Sequence, residues 1–384
     1  MKKKIAILGS TGSIGSTLLK LIDKKKFIIS FLLANKNYTK ILNQAKKFKV
    51  RNIIIIDHKS YLKAKKLNKD NKLLIHNKDF EFKKIINTKL DYVMSAITGI
   101  AGLKPTYDIV KFTKKIAVAN KESLICAWPL LEKELRKNKT EFIPVDSEHF
   151  SIWSEIKNFD PKIIKKIFIT ASGGSLFKFN VNSLHKVKFK DVLKHPTWKM
   201  GKKITIDSAT MMNKCFEIME AKNIFNLNYD KIDILVHQDS YLHAIICYNN
   251  GISKLILHDT TMEIPIFNSI NSNNVLYNKS TILDLKKMNN LKLSKIDLKR
   301  FPVLKILKKL PKKHSLFETV IVSINDFLVE NFLKKKIKFI DISKNLLKIS
   351  NSTYYSKYKY IYPKNINDIL LLNHKISKNL QTRI

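Results

Sequence analysis

Residues 5–22, IAILGSTGSIGSTLLKLI, constrain the fold of this chain more than any other stretch. Ile5 to Leu8 form an unbroken apolar run, the pattern of a strand buried on both faces. Gly9, Gly12 and Gly15 then punctuate a turn, and Ser16 to Ile22 carry apolar residues at helical spacing. Glycines in such a turn let the backbone approach a pyrophosphate, whose charge rests on the N–H groups of the helix N-terminus. The spacing is GxxGxxG rather than GxGxxG, and a tight strand-to-helix turn with no ligand is the plain alternative. The strand before it and the helix after it favour a dinucleotide.

Further buried strands follow: FIISFLLA (27–34), NIIIID (52–57), YVMSAI (92–97) and KIAVAN (115–120), with helical stretches between them. This alternation predicts an α/β protein that begins with a Rossmann-like, doubly wound parallel sheet. The second strand should end beside the adenosine ribose, where NAD-binding folds place an acid. Here it ends in Ala34–Asn37, ANKN, with Lys36 and no acid. A carboxylate would repel a 2′-phosphate and an ammonium would attract it, so NADPH is expected over NADH. In a lysine-rich chain Lys36 also reads as ordinary surface. Lys121, in ANKES (119–123), follows the last of these strands at the sheet's carboxyl edge and is a candidate to hold an oxyanion near the nicotinamide.

At 384 residues, 45% of them hydrophobic, the chain has enough apolar surface for two or three domains. Its formal net charge of +41 raises nucleic acid or an anionic membrane as partners. The lysines are dispersed along the whole length, however, with no arginine-rich stripe, zinc-finger spacing or RNP-like motif. They read as a coat, and neither nucleic acid nor membrane is expected. The apolar run after MKKK is too short for a signal peptide, and nothing approaches 18 uninterrupted apolar residues. Cys126, Cys215 and Cys247 form no CxxC pair, which fits a reducing cytoplasm.

The second half carries the candidate chemistry. In PVDSEHF (144–150), Phe142, Ile143 and Val145 read as a strand whose end projects Asp146 and Glu148 from one face. Two like charges so close call for a bound cation or a solvated strand end. IDSATMMNKCFEIMEA (206–221) reads as one helix, capped by Asp207 or Ser208 and running to about Lys222. Asn213, Lys214 and Glu217 share a face at i, i+3 and i+4 spacing, with Met212, Phe216 and Met219 toward the core. That polar face is either a surface Lys–Glu pair or a phosphate site (Ser208, Asn213, Lys214) in which Glu217 supplies a further carboxylate. Asp146, Glu148 and Glu217 together would form an all-oxygen set suited to Mg²⁺ or Mn²⁺, with Co²⁺ a further candidate. Ser172 opens a glycine turn, SGG (172–174), suited to an anion or simply a turn. HPTWKMG (195–201) reads as a loop whose Trp198 either packs on the core or belongs to a lid.

Taken together, GSTGSIG, ANKES, PVDSEH, SGG, HPTWKMG and DSATMMNK resemble, in order and spacing, the 1-deoxy-D-xylulose 5-phosphate reductoisomerases. The resemblance implies NADPH-dependent, metal-assisted conversion of 1-deoxy-D-xylulose 5-phosphate to 2-C-methyl-D-erythritol 4-phosphate, by a homodimer. It implies NADPH contacts at Thr11, Gly12, Ser13, Ile14, Asn35, Lys36, Asn37, Asn120, Glu122 and Gly201. It assigns the metal to Asp146, Glu148 and Glu217, and substrate contacts to Lys121, Ser147, Glu148, Ser172, His195, Ser208, Asn213, Lys214 and Glu217. Of these, Lys121, Glu148 and His195 would be catalytic. The implied division is an NADPH domain (1–145), a catalytic and dimerisation domain (146–271), a linker (272–297) and a helical domain (298–384). The chain departs from the family pattern at Asn35 and Cys215, where glycine is usual, at Gln238 and Asp239 in HQDS, and at Glu263, where arginine is expected. The rival reading is a metal-independent Rossmann dehydrogenase acting on an amino-acid semialdehyde, which needs no carboxylate triad.

Overall fold

The apolar run Ile5–Leu8 falls in β1 (Lys3–Leu8), which is buried from Ile5 onward, as a central parallel strand must be. In the computed structural model, which describes residues 2–70, 72–156, 160–271, 277 and 284–382, six more strands extend a parallel sheet around it. They are β2 (Phe27–Ala34), β3 (Asn52–Ile55), β4 (Leu74–His76), β5 (Tyr92–Ser95), β6 (Lys115–Val118) and β7 (Glu141–Pro144). The order is β4-β3-β2-β1-β5-β6-β7. The chain thus builds outward from β1 to β4 and then returns to lay β5 on the other side of β1. That reversal opens a crevice at the carboxyl ends of β1 and β5, where such sheets bind ligands.

The expected strands over 52–57, 92–97 and 115–120 are all present, but β3, β5 and β6 stop two residues sooner, at Ile55, Ser95 and Val118. Their last apolar residues belong to the connecting turns. The first helix, Ser13–Leu21, starts ahead of the expected Ser16. Gly15 therefore lies inside its first turn, where a Cβ would stand 2.5 Å from the Gly9 carbonyl oxygen.

A second, five-stranded sheet has the order β11-β10-β8-β9-β12. Its strands are β8 (Ile164–Ala171), β9 (Ile232–Val236), β10 (Leu242–Tyr248), β11 (Ser253–Leu257) and β12 (Ser294–Lys295). Only β8 and β9 run parallel; the other pairs are antiparallel. The C-terminal part is helical. Helix Phe317–Leu333 is buried over most of its length, and helices Phe339–Ser350 and Ile366–Gln381 pack on it. The last of these starts at Asn365, whose side chain accepts from Asp368 N–H (3.1 Å) while Asp368 accepts from Asn365 N–H (3.3 Å).

Two compact units result, one of residues 1–123, 131–146 and 262–277, the other of 124–130, 147–261 and 278–384. Helix Glu263–Ile270 returns to the first unit, packs on helix Ser13–Leu21, and bonds Ser269 Oγ to the buried Tyr92 hydroxyl (2.7 Å). Of the linker expected over 272–297, residues 272–276 and 278–283 lie outside the described residues. Among the described residues no helix is long and apolar enough to cross a membrane.

Two local expectations are corrected. Asp146 and Glu148 do not share a strand face: β7 ends at Pro144, and Glu148 sits in the first turn of helix Ser147–Ile156. Proline brings no N–H to continue a ladder, and a carboxylate in a first helical turn is favoured by the helix dipole. The single helix over 206–222 is two helices, Lys202–Thr210 and Met212–Ile224, broken at Met211 (φ 70°). Asp207 and Ser208 therefore close one helix rather than cap the next.

Candidate active site

The glycine turn sits where the reversed strand order predicts. Gly9 (φ 88°) lies against the loop after β5: a Cβ there would be 2.5 Å from the Ala96 carbonyl oxygen. No larger residue fits. A cavity of about 530 Å³, lined in part by Gly9, Thr11, Gly12, Asn35 and Ala96, opens beside it. Gly12 ends the turn and Ser13 and Ile14 start the helix, so the backbone N–H groups of that first turn face an anion's natural seat. Lys40 Nζ donates to the Thr11 carbonyl (2.8 Å), and Asn37 caps helix Tyr38–Phe48 by accepting from Lys40 N–H (3.1 Å). Sequence reasoning missed Lys40, and also Lys104 and Phe82, which line the cavity from distant segments. The glycine pair Gly99 and Gly102 after β5 was the available signal for a loop at this edge.

Lys36 is exposed beside Asn35. An acid does stand nearby, supplied by the turn after β3 instead of the end of β2: Asp57 N–H donates to the Asn35 carbonyl (3.2 Å). Its carboxylate is occupied in capping helix His58–Leu67. The Ser60 backbone N–H and hydroxyl hold its pKa below the usual carboxylate value, with Lys36 adding to the effect. Lys36→Glu is expected to remove the attraction for a 2′-phosphate, raising the Kd of NADPH about 10-fold while leaving NADH within about 2-fold. Equal effects in a binding titration with both cofactors would leave Lys36 as solvated surface.

Asn120 is 1% exposed, and its amide donates to the carbonyls of Ile97 (2.6 Å) and Gly99 (2.9 Å) and to Glu122 (3.0 Å). Its Oδ1 accepts from Ser123 N–H at the start of helix Lys121–Cys126. Asn120 thus holds the loop after β5 from within, and Glu122 accepts from the same amide. Lys121 Nζ donates to Asp146 Oδ2 at 2.5 Å.

In the second unit, Lys214 Nζ bridges two carboxylates, Glu148 Oε1 at 2.5 Å and Glu217 Oε2 at 2.6 Å. Asn213 Nδ2 donates to the other Glu217 oxygen, and Ser147 Oγ to Glu148 Oε2 (2.5 Å). Glu217 is buried, and His149, itself fully buried, fastens it further by bonding Nε2 to the Glu217 carbonyl (2.9 Å). That anchoring role of His149 was not anticipated. The polar face of Asn213, Lys214 and Glu217 is therefore not a solvated surface pair. Asp146, Glu148 and Glu217 each offer an oxygen within 4.8 Å of the others. Only Ser147 separates the first two in sequence, so the chain itself keeps them close. Their mutual repulsion is offset by two ammonium groups, Lys121 and Lys214, an answer that neither a solvated strand end nor a cation alone had anticipated. The donors are all carboxylate oxygens, so the set fits a hard divalent ion that would compete with those ammonium groups.

Ser172, His195 and Ser208 form a second cluster in this unit. His195 Nε2 lies 3.0 Å from Ser172 Oγ and 3.1 Å from Ser208 Oγ. The backbone N–H groups of Thr197 (3.3 Å) and Trp198 (3.0 Å) point at its Nδ1, which must therefore accept, leaving the ring proton on Nε2. Burial, and secondly the charge of Lys214, lower the His195 pKa to about 4, so the ring is neutral at physiological pH. Gly174 N–H donates to Ser172 Oγ (3.1 Å), and a Cβ on Gly174 would be 2.6 Å from the Ser208 carbonyl oxygen, so the turn packs directly on the end of helix Lys202–Thr210. Residues 195–201 form the expected loop, with Gly201 at the cap of that helix. Trp198 is half-buried, edge-on to His243 at 6.3 Å. Cys215 is fully buried and its thiol pKa is raised, mainly by burial, so it is an inert packing group beside Lys214.

Three family models match: 1-deoxy-D-xylulose 5-phosphate reductoisomerase over residues 5–128, the reductoisomerase C-terminal domain over 142–225, and the DXP reductoisomerase C-terminal domain over 257–378. The chain is 56% identical over 384 residues to a protein of Pelagibacter ubique (strain HTCC1062) named 1-deoxy-D-xylulose 5-phosphate reductoisomerase, covering 99% of both. A protein of the same name from Wolbachia pipientis wMel is 37% identical, covering 97% of this chain and 95% of its own. Among solved structures, DOX-P reductoisomerase in complex with NADPH, fosmidomycin and magnesium superimposes with a TM-score of 0.91 at 29% identity, covering 99% of this chain and 98% of that one. The Zymomonas mobilis 1-deoxy-D-xylulose 5-phosphate reductoisomerase in complex with NADPH gives 0.86 at 29% identity, covering 98% and 97%.

Proposed function

The chain belongs to the 1-deoxy-D-xylulose 5-phosphate reductoisomerase family, and from that premise we propose how its own residues carry the family's reaction. The reaction is the NADPH- and divalent-metal-dependent rearrangement and reduction of 1-deoxy-D-xylulose 5-phosphate to 2-C-methyl-D-erythritol 4-phosphate, in isoprenoid precursor synthesis. The observation that carries it is the set of three carboxylates at Asp146, Glu148 and Glu217. A metal-independent dehydrogenase of an amino-acid semialdehyde needs no such set and is not favoured.

Bound NADPH supplies the hydride that reduces the rearranged aldehyde, and a bound Mg²⁺ or Mn²⁺ polarises the substrate's oxygens during rearrangement. Residues 11–14 and 35–37, with Asn120, Glu122 and Gly201, would hold the cofactor; Asp146, Glu148 and Glu217 would hold the ion. Ser172, Ser208 and Asn213 offer neutral donors and Lys214 an ammonium, the combination that a phosphate's charged oxygens require. His195, neutral and with its proton on Nε2, orients a substrate oxygen by hydrogen bonding rather than by charge. Lys121 donates to the oxygen that gains negative charge, and Ser147 and Glu148 contact the substrate's hydroxyls. The ammonium groups of Lys121 and Lys214, which meet the carboxylates here, are the ones that would serve the substrate's anionic oxygens.

Within this reading, residues 1–145 serve NADPH, residues 146–271 serve chemistry and dimerisation, and the homodimer works in the cytoplasm. NADPH oxidation on adding 1-deoxy-D-xylulose 5-phosphate tests the function. It is expected to require both the substrate and Mg²⁺ or Mn²⁺, and turnover that survives chelation would return the semialdehyde reading.

A further inference from the structure

Helix Phe317–Leu333, in the same compact unit as Ser208 and Lys214, carries a fully buried amide that the reaction itself does not use. Asn325 Nδ2 donates to Asp207 Oδ1 at 2.8 Å, across 118 residues of sequence. Asp207 is also buried, and its second oxygen meets Lys203 Nζ at 3.3 Å, which in turn meets Asp326 Oδ1 at 3.0 Å. The amide cannot be reversed, because turning it would set its oxygen against the carboxylate. Asn325 Oδ1 finds no hydrogen-bond partner among the described residues. A residue present only to fill the core would be apolar and would avoid burying that oxygen unpaired. The Asp207 contact accounts for an asparagine here.

Asp207 occupies the last turn of helix Lys202–Thr210, one residue before Ser208. The helix closes there: Met211 N–H donates to the Ser208 carbonyl (3.1 Å) and Met211 takes the left-handed conformation (φ 70°). Gly174 also presses on the Ser208 backbone, too close for any Cβ. Ser208 is thus packed against a glycine and tied, through Asp207, to helix Phe317–Leu333. We infer that Asn325 is a positioning residue for the substrate's phosphate end: it grips Asp207 and so fixes the turn 207–211 that presents Ser208 beside His195. The inference rests on the reading of Ser208, Asn213 and Lys214 as phosphate ligands.

Asn325→Leu keeps most of the bulk and removes the donor. The KM for 1-deoxy-D-xylulose 5-phosphate and the Kd of fosmidomycin should both rise about 10-fold, with kcat and the KM for NADPH within about 2-fold of wild type. Asn325→Asp, which faces one carboxylate with another, should weaken both further. Adding Asp207→Asn to it restores one donor and one acceptor and should return both constants to within about 3-fold of wild type. A lowered melting temperature with unchanged KM and Kd would overturn the inference, because a purely structural role moves only stability. So would a reciprocal pair no better than Asn325→Asp, a comparison that also decides the matter if Asn325→Leu fails to fold. An inactive wild type counts against the assigned activity instead, and the Kd of inorganic phosphate across the same variants then decides for or against Asn325.

Discussion

Glu217→Gln is expected to weaken Mn²⁺ binding at least about 100-fold and to lower kcat about 10³-fold, while NADPH binds as before. Glutamine keeps the shape of the side chain and its place on helix Met212–Ile224, while losing the charge and one of the two acceptor oxygens. Three carboxylates with an oxygen each within 4.8 Å would act as one ligand set in the proposed reading, and a hard cation is held by the charge it meets. Asp146→Asn should behave alike. The double variant should lose less than the sum of the two, because either change already disables the set. Calorimetry with Mn²⁺ on wild type, both single variants and the double variant, in the presence of NADPH and fosmidomycin, decides it. Unaltered Mn²⁺ affinity in either single variant would show that these carboxylates are partners of lysines and nothing more.

Lys214→Met should give a less obvious pattern: a weaker fold and weaker substrate binding together with tighter metal binding. Lys214 Nζ lies 2.5 Å from Glu148 and 2.6 Å from Glu217, whose side chains are 12% and 1% exposed. Methionine keeps the length of the side chain but removes the ammonium that both carboxylates share. Removing one partner from a buried charged group costs about 3–5 kcal/mol, so the metal-free variant should melt several degrees below wild type. Mn²⁺ no longer competes with an ammonium and should bind about 10-fold more tightly, recovering more melting temperature in the variant than in wild type. The KM for 1-deoxy-D-xylulose 5-phosphate should nevertheless rise at least about 10-fold, because in the proposed reading Lys214 is the phosphate's cation. If Mn²⁺ stabilises the two proteins equally, Lys214 does not neutralise the metal carboxylates.

The sequence by itself determined the parts of this protein that depend on neighbouring residues. Ile5 to Leu8 and the three glycines after them specify strand, turn and helix, because backbone freedom and apolar runs act over a few positions. The shared face of Asn213, Lys214 and Glu217 was legible for the same reason, since i, i+3 and i+4 residues of a helix must meet. The resemblance across six motifs then named the chemistry. Even locally the reading had limits: Glu148 was expected on a strand, and the break at Met211 was invisible because a non-glycine residue with positive φ carries no composition signal.

Tertiary structure decided which of these pieces act together. Lys214 reaches Glu148 across 66 residues, His149 reaches the Glu217 carbonyl across 68, and Asn325 reaches Asp207 across 118. Asp57 comes to the end of the second strand only because β3 pairs with β2, Ala34 opposite Ile55. Periodicity tells which side of a helix or strand faces inward, but not which distant side chain will be waiting there. That depends on how the elements pack, and it is packing that set Lys121 on Asp146 and Lys214 between Glu148 and Glu217.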